Sequence, residues 1–352
     1  MSRRWAVESL VLLSGCLLAG VNSAIGQTGT PEVTLSEGIL ALGVEDGDPS
    51  QVFGDITGVI TLRDGRILLL DGKAGLLSLF SPRGALLDAA GRIGDGPGEF
   101  RSPKLVAVRQ DSVLLLDTML RRMSVFALGA GGLTFARTFG ITGWSADACV
   151  IGERLYLLSY LDGKILHEYA LDGTLLRSFG RPLGLDLPIT RGGTIRGRLV
   201  CEADQGMIYV LSRQFGTVAA YSARDGTNRW SMVPAGFVPA QMTPYDDGNG
   251  MRFAPGKGGI TDNLVSGVIV APDVLLVQAS RAEYRDKGTP RLGAVRSTRT
   301  FLVHALTGKA LAEAWSGLPL IVEAGNGQAW TADTTDFPRI VRRRVHVSVR
   351  DH

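Results

Sequence analysis

Along the 352-residue chain, short apolar runs begin a few residues after turn signals, and no long stretch keeps the 3.6-residue period of an amphipathic helix. The pattern predicts an all-β protein. One unit recurs: an apolar strand, a tight turn, a second strand ending in a polar residue, a third strand, a Gly-containing turn and a fourth strand. Gly65, Asp111, Glu153, Gly206, Pro272 and Gly327 mark the start of the second strand, and six residues after each stands Asp71, Asp117, Ser159, Ser212, Gln278 or Asp333. Neighbouring markers are 46, 42, 53, 66 and 55 residues apart, which suits a four-stranded propeller blade with loops of varying length. Asp64-Gly65, Asp162-Gly163, Asp172-Gly173, Asp225-Gly226 and Asn326-Gly327 supply the positive φ of tight turns. The repeat predicts one domain over residues 27–352, a six-bladed β-propeller with four-stranded blades.

A ring of blades must join its ends or leave an open sheet edge. Val33 to Leu42 is the predicted closing strand, paired with the last blade. The end of that blade alternates Val345, Val347 and Val349 with Arg344, His346, Ser348 and Arg350, which reads as a solvated outer strand.

Composition changes this picture little. Gly is abundant, at 46 residues, and a net charge of +3 gives no reason to expect nucleic acid or an anionic membrane as a partner. The N-terminus adds a location. Arg3 and Arg4, the apolar run Leu10–Val21 and the small residues Ala24 and Gly26 read as an export signal over residues 1–26. Leu13-Ser14-Gly15-Cys16 also fits a bacterial lipobox, which would tether the protein to a membrane through Cys16, although the residues after Cys16 stay apolar. The expected location is periplasmic or extracellular, or lipid-anchored in the cell envelope. Only Cys149 and Cys201 remain after processing. Counting back from the markers puts them on adjacent inner strands but on opposite faces, which predicts two buried thiols rather than a disulfide.

Phe100-Arg-Ser-Pro103, Leu105 to Val108, Val113-Leu-Leu-Leu-Asp117 and Arg122-Met-Ser-Val-Phe126 together resemble an NHL repeat. Trp330-Thr-Ala-Asp333 and Pro338-Arg339-Ile340 repeat part of it, and Gly91 to Phe100 resembles the inter-blade signature of bacterial six-bladed propellers related to NHL proteins. The resemblance implies the same fold. Blades three to five keep the phase but lose the Asp and the Arg, so no function is carried over with it.

Candidate chemistry is sought among the residues that do not repeat. A carboxylate that recurs blade after blade, as Asp71, Asp117 and Asp333 do, reads as a holder of turn amides. On the innermost strands the count back leaves one uniformly apolar or small face and one face that collects Asp147, Glu202 and Glu323. Carboxylates near the axis require a hydrogen bond, a proton, a wet channel or a cation. Propellers similar to gluconolactonases hold a divalent cation at the axis through oxygen ligands, so calcium on Asp147, Glu202 and Glu323 is one expectation and a water-filled channel the other. Glu99 is a further candidate at a channel mouth. His167 and His304 lack ligand spacing and read as surface strand residues. Gly256-Lys-Gly-Gly259 lacks the features of a phosphate loop, and Asp246-Asp-Gly-Asn249 is too short for a calcium loop. Two long stretches, Ala235–Asn263 and the basic Arg281–Arg299, are where specificity is expected.

The functional expectation is a non-enzymatic ligand- or protein-binding propeller of the bacterial cell envelope, with an unknown protein or small molecule as partner. The alternative is a metal-dependent hydrolase or lyase, gluconolactonase-like, with its site at the central channel.

Overall fold

The computed structural model describes residues 30–182, 196–244, 251–254, 256–283, 295–312, 314–333 and 336–350. The export signal, Cys16 and Asp246–Asn249 lie outside them. Six four-stranded antiparallel sheets form the ring. Their inner strands are Ile56–Thr61, Pro103–Arg109, Ser145–Ile151, Gly197–Glu202, Ile260–Ala271 and Leu320–Gly325. Their second strands are Ile67–Asp71, Ser112–Asp117, Arg154–Leu161, Met207–Ser212, Val274–Glu283 and Gln328–Asp333, so each marker residue stands one or two positions before a second strand.

The second strands are apolar without a break because both faces of each blade are covered, as in any sheet packed on two sides. Along Ile67–Leu70, Ile67 and Leu69 pack toward blade six, while Leu68 and Leu70 pack toward blade two. Leu114 and Leu116 face blade three, Tyr156 and Leu158 face blade four, and Tyr209 and Leu211 face blade five. Leu276 faces Ile321 and Ala329 of blade six, and Trp330 returns the stack to blade one. Six apolar clusters therefore lie in six inter-blade spaces, and the ring is closed.

Closure uses the N-terminal segment. Thr30–Leu35 and Leu40–Leu42 pair antiparallel with successive parts of Arg339–Arg350 and supply the outermost strand of blade six. Arg339–Arg350 is therefore the third strand rather than the solvated outer one. Val345 and Val347 pack inward, while Arg343 donates to the Ser36 carbonyl and Arg342 lies over the Trp330 ring at 5.6 Å.

The NHL-like residues form one structural unit. Asp117 accepts the backbone N–H of Arg101, Ser102, Met119 and Leu120 at 2.7–3.3 Å, tying the inter-blade connection to the turn after its own strand. Asp71 does the same in blade one with Gly54, Asp55, Lys73 and Ala74. Asp333 pairs with Arg339. Phe100 and Phe126 meet at 5.8 Å in the space between blades one and two. Arg122 donates to the carbonyls of Asp95, Gly96 and Glu99.

Cys149 and Cys201 are joined in a disulfide, with Cα atoms 5.7 Å apart. They do lie on opposite faces of their own blades. In a ring that is what brings them together, because the face blade three turns to blade four meets the reverse face of blade four. His167 is likewise not a surface residue: it is 1% exposed, with Nδ1 2.8 Å from Ser178 Oγ and Nε2 3.2 Å from the Ser159 carbonyl oxygen. Burial holds its pKa below the ordinary value. His304 is half-buried in the third strand of blade five.

Candidate functional site

At the start of the inner strands lies a cavity of about 560 Å³, opening where blades two to five meet. That volume is within the ordinary range of small-molecule pockets, about 300–1,000 Å³. Its lining is cationic. Lys104 comes from blade two, Arg196 and Arg198 from the start of blade four, and Arg213 from the end of that blade's second strand, while no carboxylate is among the lining residues. Ser102, Thr118, Met119, Trp144 and Ser145 complete much of the wall. Trp144 is 46% exposed and Met119 57% exposed, and the Arg121 guanidinium sits 5.6 Å from the Trp144 ring centre.

Asp147 stands behind this wall as the counter-charge. Its carboxylate is 3.7 Å from Lys104 Nζ and 3.6 Å from Arg198 Nε, and it accepts the Leu199 N–H at 3.0 Å. One acid thus ties the inner strands of blades two, three and four. Lys104 also donates to the Ala146 carbonyl. Burial lowers the Lys104 pKa, Asp147 opposes that shift, and the neighbouring guanidiniums of Arg198 and Arg213 add to it. Two cations share one carboxylate. Gly197 permits the crowding: a Cβ there would come within 2.5 Å of the Leu211 carbonyl oxygen.

The other sequence candidates fall elsewhere. The register pairs Asp147 with Leu158, Glu323 with Trp330 and Glu202 with Met207. These partners stand five, three and one residues after the corresponding markers, so the acids lie at three heights spanning about 13 Å of channel. Glu202 closes the turn at the far end by accepting the Gln205 N–H, and burial, with Asp204 and Asp273 nearby, raises its pKa. Glu323 is half-buried, with no hydrogen bond or ion pair among the described residues, and burial pushes its pKa up to about 7. Among the described residues no group of three or more His, Cys, Asp or Glu is placed to hold a metal ion. Glu99 turns into its own loop, accepting the Gly96 N–H at 2.8 Å and pairing with Arg92; these contacts hold its pKa down.

The two long stretches are partly built into the scaffold. Asp262, fully buried, accepts from Arg281 Nε and Nη2 at 2.7 Å each, from Arg299 Nη1 at 3.3 Å and from the Val238 N–H at 2.9 Å. Both guanidiniums also reach the Gly236 carbonyl oxygen. These two basic residues hold the connection between blades four and five against the lengthened strands of blade five. Gly256–Gly259 is loop with a short 3-10 turn at Lys257–Gly259. Residues 245–250, 255 and 284–294 lie outside the described residues.

Lys104, Arg198, Arg213, Trp144 and Ser145 were not singled out by the sequence pattern. One signal for them was present. The position six residues after the marker holds Asp in blades one, two and six but Ser159, Ser212 and Gln278 in blades three, four and five, and those three blades line the cavity together with blade two.

Among the described residues no helix is long and apolar enough to cross a membrane. No protein-family model matches the chain, and no curated protein matches it in sequence. Solved structures do. The chain is similar to a Bacteroides fragilis protein named as exported, at 11% identity and a TM-score of 0.57, covering 93% of this chain and 98% of that one. It is also similar to a member of the DUF4221 family from Bacteroides vulgatus, at 8% identity and a TM-score of 0.59, covering 92% of this chain and 99% of that one. At these identities the likeness is one of fold, and it extends over the whole propeller.

Proposed function

We propose that the protein is a non-enzymatic ligand-binding propeller of the bacterial cell envelope, with NHL-type blades, an N-terminal export signal and its ligand seated in the cavity at the channel mouth. The carrying observation is the cavity: a concave, cation-lined wall drawn from several blades, with the Asp147 carboxylate behind it engaged by Lys104 and Arg198. Ligand pockets characteristically combine such a concavity with a few placed polar groups and apolar wall. The Cys149–Cys201 disulfide supports export, because disulfides persist in oxidising compartments. The exported Bacteroides fragilis protein of like fold agrees with that location.

The reading is tested with purified protein and a panel of small anions, sugars and lactones, with thermal shift as the first measurement and chemical analysis of the recovered compound as the second. The expected result is saturable binding of an unaltered compound, lost when Ser145→Trp fills the cavity. Turnover of a lactone that requires added calcium and is lost in Glu323→Gln would replace this reading with the metal-dependent hydrolase.

A further inference from the structure

The cavity has a charge imbalance that its own residues do not resolve. Lys104 and Arg198 share the single carboxylate of Asp147, which is already held by the Leu199 N–H, and the Arg213 guanidinium adds to the positive charge that Lys104 meets. A second observation is independent of charge. Ser145, 4% exposed, lines the cavity, and among the described residues its hydroxyl has no hydrogen-bond partner; nor has the hydroxyl of Ser159, its partner across the strands. A buried hydroxyl without a partner costs about 1–3 kcal/mol, so such groups usually await a ligand or water. The rim adds a flat apolar surface, since Trp144 and Met119 are both exposed there.

Resting on the reading of this cavity as a binding site, we propose that it takes a small organic oxyanion: a carboxylate or phosphate seated among Lys104, Arg198, Arg213 and Ser145, attached to a flat apolar group lying against Trp144 and Met119. Arginine and lysine donate charge-assisted hydrogen bonds to oxyanions, and the guanidinium fork matches a carboxylate or phosphate edge. A cation is the wrong sign for this wall. A neutral sugar would add no counter-charge to Lys104 and Arg198, which share one carboxylate.

Isothermal titration of the full mature protein with benzoate, phenyl phosphate, inorganic phosphate, benzyl alcohol and calcium chloride tests the assignment. One or both aryl anions bind saturably, and their ratio identifies carboxylate or phosphate as the preferred head. Inorganic phosphate binds at least about tenfold more weakly than the better aryl anion, as expected if the ring contributes contact area. Benzyl alcohol and calcium do not bind. Arg213→Gln and Arg198→Gln each weaken the aryl anion by about ten- to a hundredfold, the range for a charge-assisted hydrogen bond. Trp144→Ala weakens the aryl anion but leaves inorganic phosphate unchanged. Asp147→Asn, which keeps an acceptor for the Leu199 N–H, strengthens anion binding by removing the competing charge; a weakened anion would overturn the assignment. Unliganded thermal midpoints check that each variant is folded. If benzyl alcohol binds as well as benzoate, or if a neutral compound from the wider panel binds and is displaced by Ser145→Trp while no anion does, the oxyanion class is wrong and the binding site stands. If nothing binds and Ser145→Trp changes nothing, both readings fall.

Discussion

At the scale of single residues, this chain separates carboxylates by what they are left to do. Asp71 and Asp117 each gather four backbone amides, and their recurrence in register showed their role before the structure did. Asp147 has strong partners, but the partners are cations, which makes it a counter-charge and a poor ligand for calcium. Glu323 has none. Burial raises it from 4.5 to about 7, so the folded protein binds its proton more tightly than the unfolded chain does. The contribution to stability is complete below about pH 4.5 and is lost as pH rises through about 7, by about 3 kcal/mol at most. Thermal midpoints of the native protein and Glu323→Gln, measured from pH 4.5 to 8.5, should therefore diverge, with the native protein falling relative to the variant as pH rises. Parallel profiles would mean that the carboxyl is as well solvated folded as unfolded.

At the scale of elements, the inner strands depart most from the simple alternation of the sequence. The register of blades one, two, three and six shifts near the start of the inner strand, between Ile56 and Gly58, Leu105 and Ala107, Ser145 and Asp147, and Ile321 and Glu323, and that of blade five between Leu264 and Ser266. A bulge puts two residues opposite one, so counting beyond it assigns the wrong face. The count back reaches Asp147 and Glu323 before any bulge and meets none on the way to Glu202, so it placed the three acids on one face correctly and missed only their different heights. Lys104 and Arg198 lie seven and eight residues before their markers, beyond the stretch counted. The closing segment breaks between Leu35 and Leu40, but each of its two strands pairs without a shift, and it was legible. Val33 is 3% exposed and packs between blades five and six, whereas Thr34 is exposed. Val33→Asp should lose about 3 kcal/mol or more in urea unfolding, as expected for a charge forced into an apolar cluster. Thr34→Asp should change stability by less than about 0.5 kcal/mol. Equal effects at both positions would show that the strand is not docked as described.

At the scale of the whole molecule, closure turns local patterns into long-range contacts. The disulfide joins residues 52 apart across the space between blades three and four. In the loop-closure account a bridge of that span is worth about 4 kcal/mol, mostly through the unfolded state. Cys149→Ser with Cys201→Ser should therefore lower the denaturation midpoint, and adding reductant to the native protein during unfolding should lower it similarly. A midpoint insensitive to both would show that the bridge adds nothing to the packing of the two blades. Ring closure also explains the bridge itself, since the adjacent blade meets each strand with its opposite face.

The sequence by itself determined the fold class, the number of blades, the position of every second strand, the turn-holding role of Asp71 and Asp117 and the segment that closes the ring. These follow from local rules, namely strand alternation, turn chemistry and repetition in register, each of which acts within one blade. The tertiary structure decided which residues meet between blades: the Cys149–Cys201 bridge, burial of His167, the three heights of Asp147, Glu202 and Glu323, and the cation-lined cavity. Those contacts join residues tens of positions apart, and they depend on bulge positions and on which face each blade turns to its neighbour. Neither quantity is written in the hydrophobic pattern of any one strand.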